Sequence, residues 1–173
     1  MSASRIIDFY RDEIGNTNGN RRQEILGWSD GALEMDHDYI QWLFPSNEAS
    51  NFNCDAPTLT QEEAAIFQAD PELQEKVRES FVRILKFFEF ELSERLVDDR
   101  GWQYGVKPKQ EVPLWLRAFN HNMLRATRVI KSLRLLGLHK EAAAFFKCLE
   151  GFQIRVSGNT FEYWRAAAID PLW

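Results

Sequence analysis

From Leu73 onward the chain repeats an apolar residue every three or four positions: Leu73, Val77, Phe81, Ile84 and Phe88. That spacing draws a single narrow stripe along an α-helix and is incompatible with the two-residue period of a strand. Asp70 followed by Pro71 supplies an N-cap and a first-turn proline, so the start of this helix is fixed as well. A long helix with one oily stripe must lay it against other elements, and the chain has to provide them.

The rest of the sequence supplies further helices. Ile6, Ile7, Tyr10 and Ile14 share a face, with Gly15 placed to end the element. A short helix is expected over Arg21 to Leu26. A longer one, capped by Ser29 or Asp30, is expected to run through to Phe44. Thr60 and Glu63 form a capping-box pair ahead of Ala64, Ala65, Ile66 and Phe67. Pro113 opens a long helix over 113–136, closed at Gly137 with Leu138 as the apolar residue behind the glycine cap. His139 to Glu150 reads as another helix, and Asn159 with Glu162 suits a last one carrying Phe161, Trp164, Ala168 and Ile169. The stretch from Leu92 to Val112, with Asp98, Asp99, Arg100, Gly101, Gly105 and Pro108, reads as irregular. Phe152 to Val156 is the one weak strand candidate. The expected fold class is therefore all-α: one compact domain over 1–173, core roughly 5–169, of about six to eight packed helices.

Bulk properties narrow the class of function. The chain has 173 residues, 45% of them hydrophobic and 13% aromatic, which fits one globular domain and argues against disorder. A net charge of -5 disfavours binding a phosphate backbone over the whole surface. Cys54 and Cys148 stand far apart, outside any C-x-x-C pair, so reduced thiols are expected. Charges at Arg5, Asp8, Arg11, Asp12 and Glu13 break the N-terminal segment, unlike a signal peptide, and no apolar run approaches the roughly 20 residues of a membrane span. A soluble, cytoplasmic protein without membrane insertion is expected; its oligomeric state is left open.

Two stretches draw attention to recognition. In HDYIQWLFP, His37 to Pro45, the residues Tyr39, Ile40, Trp42, Leu43 and Phe44 occupy a broad helical arc. His37, Asp38 and Gln41 share the remainder, and Pro45 stops the helix. On the helix over 113–136, Arg117, His121, Arg125, Arg128 and Lys131 fall within about 120° of arc, opposite Phe119, Met123, Ala126, Val129, Ile130 and Leu133. Such a cationic strip repels itself and needs an anionic neighbour. That neighbour is either internal, with Glu34, Asp36 or Asp38 across a groove, or a ligand: a phosphate, a carboxylate or an acidic peptide, for which the planar fork of Arg is suited. The residues SNEASNFNCDA between Pro45 and Pro57 read as a surface loop, near the length at which structureless loops are usually functional, and so a candidate lid or edge.

Catalytic signals are weak. No metal-binding H-x-x-x-H or H-E-x-x-H pattern is present, and no nucleophile elbow or phosphate-binding glycine loop occurs, so no metal or cofactor is expected. His37 or His121 would need a carboxylate within hydrogen-bond reach in a pocket to serve as a general base. Of Trp28, Trp42, Trp102, Trp115, Trp164 and Trp173, most are expected in the core; Trp42 and Trp164 are the best candidates to border a recognition surface.

HDYIQWLFP, the later NHNMLRATRVIKSLRLLGL from Asn120 to Leu138 and the closing RVSGNTFEYW from Arg155 to Trp164 together resemble the conserved domain of the opioid growth factor receptor family, in the same order and over nearly the whole chain. The resemblance implies an all-helical domain that in animals belongs to a receptor for the pentapeptide met-enkephalin, associated with the nucleus and restraining proliferation. It also occurs as short single-domain proteins, the kind this chain looks like. Matching motif positions are His37, Tyr39, Gln41, Trp42, Asn120, His121, Arg125, Arg128, Lys131 and Ser132. The expected function is a non-enzymatic binding or signalling module that takes a short peptide or acidic protein segment. His37, Gln41, Trp42, Arg117, His121, Arg125, Arg128, Lys131 and Trp164 are the expected ligand-binding residues. The alternative is a phosphate-bearing ligand or nucleic acid on the basic helix.

Overall fold

The computed structural model describes residues 4–50, 53, 55–98, 101–116 and 120–173; Arg117, Phe119 and Cys54 lie outside them, as does the side chain of Trp102. Its longest helix is the one with the narrow stripe. To number the elements in chain order, α1 is Arg5–Tyr10, α2 Arg22–Leu26, α3 Asp30–Met35, α4 Tyr39–Leu43, α5 Gln61–Ala69 and α6 Pro71–Phe87. The strands β1 Phe90–Asp98 and β2 Gly101–Pro108 follow, then α7 Asn122–Leu135, α8 His139–Glu150 and α9 Gly158–Ile169.

In α6, Leu73, Val77, Phe81 and Ile84 are all buried to within 1% exposure, as is Phe88 just beyond it. Asp70 Oδ1 accepts from the amides of Glu72 (2.9 Å) and Leu73 (3.3 Å), satisfying first-turn donors that the helix cannot. The reciprocal cap of α5 forms too, Glu63 N to Thr60 Oγ1 at 3.2 Å and Thr60 N to Glu63 Oε2 at 2.9 Å. Phe81, Phe88, Phe90, Trp115 and Phe145 build an aromatic centre joining α6, β1 and α8. On its other side α7 packs on α8 and α9, and Trp164 Nε1 donates to the Met123 carbonyl at 3.0 Å.

Six expectations need correction, two of them near the C-terminus: Phe152 to Val156, the weak strand candidate, holds a short 3-10 turn at Gln153–Arg155, and Ser157 rather than Asn159 caps α9. The fold is mostly helical but not strictly all-α, because the stretch read as irregular forms an antiparallel hairpin. It pairs Phe90 with Pro108 and Leu92 with Val106, with an irregularity between Arg95 and Asp98. The expected long helix over 29–44 is two helices: Asp36 Oδ1 accepts from the amides of Asp38 (2.8 Å) and Tyr39 (3.2 Å), a local bonding that competes with helix continuation. The helix expected to start at Pro113 starts at Asn122 instead, after a short 3-10 turn at Leu114–Leu116. Finally α1 ends before Gly15: Asp12 adopts φ 60°, with Asp12 N bonded to Phe9 O and Glu13 N to Asp8 O, so an aspartate takes the left-handed position.

Arg22, which sequence reading passes over, is fully buried behind this turn. Its guanidinium donates to the Lys76 carbonyl at 3.0 Å and pairs with Glu79 at 2.8 Å, while its face covers Tyr10. Among the described residues no helix is long and apolar enough to cross a membrane.

Candidate ligand cleft

Pro45 cannot extend α4, which ends at Leu43, and Ser46, Glu48, Ala49 and Ser50 beyond it share a cleft with residues of α7. The cleft is open and measures about 590 Å³. One wall is α4 with the loop behind it, contributing His37, Ile40, Gln41, Ser46 and Glu48. The facing wall is α7, which presents His121, Leu124, Arg125, Arg128 and Lys131 at helical spacing, and Tyr163 of α9 closes one side. This volume falls within the range of pockets that hold small ligands, about 300–1,000 Å³.

The cations of α7 are not equivalent. Arg125 is 5% exposed and serves the scaffold: it donates to the Asp36 carbonyl at 2.7 Å and to Asn122 Oδ1 at 3.1 Å, and lies over the rings of Tyr39 and Phe87. Its Nη2 also stands 3.3 Å from His37 Nδ1. Lys131 Nζ is 2.6 Å from Glu48 Oε1. Arg128, half-buried, donates to the Phe44 carbonyl at 3.2 Å and has no ion pair within bonding distance among the described residues. Burial pushes its basicity down, and the charge of Glu48 partly restores it.

His37 and His121 meet edge to face, with ring centres 4.9 Å apart. His121 Nε2 lies 3.1 Å from Glu34 Oε1, so a histidine does meet a carboxylate at the cleft edge. Burial holds the His121 pKa below the ordinary histidine value; the Arg125 charge adds to this and Glu34 opposes it. Among the described residues, no three His, Cys, Asp or Glu side chains form a group suited to hold a metal ion. The Gln41 amide group donates to the carbonyls of His37 (2.9 Å) and Asp38 (3.0 Å), fixing the turn that carries His37.

Of the residues expected to bind a ligand, His37, Gln41, His121, Arg125, Arg128 and Lys131 share this cleft. Trp42 and Trp164 do not line it; both are fully buried, Trp42 against Phe9 with its Nε1 on Thr17 Oγ1 at 3.2 Å, and Trp164 under Met123. Arg117 lies outside the described residues. Sequence reading missed Glu48, Leu124 and Tyr163. The last two carried a signal: each is apolar or aromatic on the polar side of its helix, and they are 47% and 58% exposed.

The chain matches the family described as the opioid growth factor receptor (OGFr) conserved region over residues 2–160. It is 36% identical to the opioid growth factor receptor of Rattus norvegicus over 138 residues, 76% of this chain and 23% of that protein. The human protein of that name is 36% identical over 136 residues, 76% of this chain and 20% of its own length. An opioid growth factor receptor-like protein 1 from Xenopus tropicalis is 32% identical over 169 residues, covering 95% of this chain and 31% of the relative. The chain thus spans between a fifth and a third of the length of these relatives. No solved structure matches it.

Proposed function

The chain belongs to the opioid growth factor receptor conserved-region family, and from that premise we propose that it is a non-enzymatic, cytoplasmic binding module whose cleft between α4 and α7 receives a short peptide or an acidic protein segment. The observation that carries this reading is the lining. Residues of the first two family motifs, His37 and Gln41 on one wall and His121, Arg128 and Lys131 on the other, face a common space beside apolar surface from Leu124 and from Tyr163 of the closing motif. A peptide needs that mixture: apolar contact for its side chains and fixed polar groups to set its orientation. The relatives are named as receptors of an opioid growth factor, which agrees with a peptide ligand. A long nucleic acid suits the cleft less well, since Arg125 is committed to the scaffold and the chain carries a net charge of -5.

Isothermal titration with met-enkephalin, the peptide implied by the sequence resemblance, tests the reading. Saturable binding by the unmodified chain is expected, weakened about tenfold or more in Arg128→Glu and in Tyr163→Ala, whose side chains line the cleft. Binding that survives both substitutions, or no binding at all, would overturn it.

A further inference from the structure

Among the described residues one carboxylate lines the cleft, that of Glu48, and it stands against the two C-terminal cations of the strip. Its Oε1 is 2.6 Å from Lys131 Nζ, and its charge also reaches Arg128. The Glu48 side chain is 76% exposed and sits on the loop rather than in a packed element, so little holds it there besides the ion pair. Exposed pairs of this kind are weak and easily exchanged.

Arg128 supplies the other half. A guanidinium carries five N–H donors in one plane, and among the described residues Arg128 makes a single hydrogen bond, to the Phe44 carbonyl. A half-buried guanidinium with donors to spare, opening on a cleft, matches an anion that presents two oxygens in a plane. The Phe44 bond also aims it, because that carbonyl is fixed where α4 stops.

We infer that the cleft is a carboxylate receptor: an acidic side chain or C-terminal carboxylate of the ligand docks on Arg128 beside Lys131, and Glu48 is the chain's own competitor, displaced when the ligand enters. This deepens the peptide reading and takes the identity of the ligand from it, but the anion position stands on Arg128, Lys131 and Glu48 alone. A carboxylate is favoured over a phosphate because the anion position offers one planar guanidinium fork, which two coplanar oxygens fill.

The test uses the full chain, nitrogen-15 labelled, with acetate as the probe, acetamide as the neutral control and inorganic phosphate as the rival anion. The readout is the Arg128 Nε–Hε resonance, assigned by its loss in Arg128→Lys. Acetate should move it saturably and acetamide should leave it in place. In Glu48→Gln, which keeps the side-chain shape at an exposed site, acetate should bind about three- to tenfold more tightly, the scale of one screened surface charge. Equal acetate affinity in the two proteins, or an unmoved Arg128 resonance, would overturn the proposal, and tighter binding of phosphate than of acetate would overturn the assignment to carboxylates. If acetate behaves as expected while no peptide binds, the peptide reading fails and the carboxylate site stands. If met-enkephalin and its C-terminal amide bind alike and Glu48→Gln changes neither, the carboxylate site fails and the peptide reading stands.

Discussion

Arg125 Nη2 donates to the backbone carbonyl of Asp36 across 2.7 Å, joining α7 to the break between α3 and α4, 89 residues earlier in the chain. That carbonyl belongs to the residue whose side chain caps the turn into α4, so one arginine holds the joint that carries His37 and the rest of the wall. Arg125, one of the strip residues expected to bind a ligand, thus holds a joint of the scaffold.

Replacing it should cost stability. Arg125→Met fills the space but leaves the Asp36 carbonyl and Asn122 Oδ1 without their charged donor, and removes the cation lying over Tyr39 and Phe87. A loss of about 2–4 kcal/mol is expected for a buried, hydrogen-bonded charge, a fall in Tm of roughly 4–15 °C for a chain of this size. Arg128→Met, which leaves one carbonyl unpaired, should lose less. Thermal unfolding followed by circular dichroism compares the two; a Tm for Arg125→Met equal to the parent's would remove Arg125 from the scaffold.

What could be read from residue order alone follows the range of the forces involved. Caps and helix periods act over three or four residues, so α5, α6 and the close of α7 were legible. Gly137 takes φ 94°, with Leu138 N bonded to Leu133 O at 2.8 Å, as a glycine followed by an apolar residue implies. The hairpin was hidden because Asp98, Asp99, Arg100 and Gly101 mask two short alternating runs, Phe90–Leu92 and Trp102–Tyr104–Val106, whose pairing is a contact between strands rather than a local one. The cleft was half legible. The face of α7 is set by its own 3.6-residue period, so the cations could be grouped. Which of them the chain itself would engage depended on Asp36 and Glu48, far off in sequence. The orientation of Trp42 was not legible either, since an apolar arc on a five-residue helix has core on more than one side.

His121 at the edge of the cleft gives stability a pH dependence. In the folded chain His121 is harder to protonate than an ordinary histidine, chiefly through burial and then through Arg125, with His37 adding to the effect and Glu34 opposing it. The unfolded chain takes up that proton near pH 6.5, so below this the unfolded form binds more protons than the folded one. Stability should therefore be full above about pH 6.5 and decline as the pH drops toward the lowered folded value. Urea midpoints at about pH 7.5 and 5.5 measure it: the decline should be smaller in His121→Gln than in the parent, and an equal decline would assign it to other groups.

Cys148 on α8 packs against the core, and burial pushes its thiol up to about 11. At pH 8 such a group is thiolate to only about one part in a thousand, against roughly a quarter for a free cysteine of pKa about 8.5. Since the thiolate is the nucleophile, the native protein should react with Ellman's reagent about a hundredfold or more slowly at this position. A Cys54→Ser variant leaves Cys148 as the sole thiol, and the rate in strong denaturant provides its own reference. The slow native rate should rise tenfold for each pH unit up to about pH 10, because proton loss limits it. A native rate already flat at pH 8 would mean that steric access alone protects the sulfur, and that the raised pKa has no part in it.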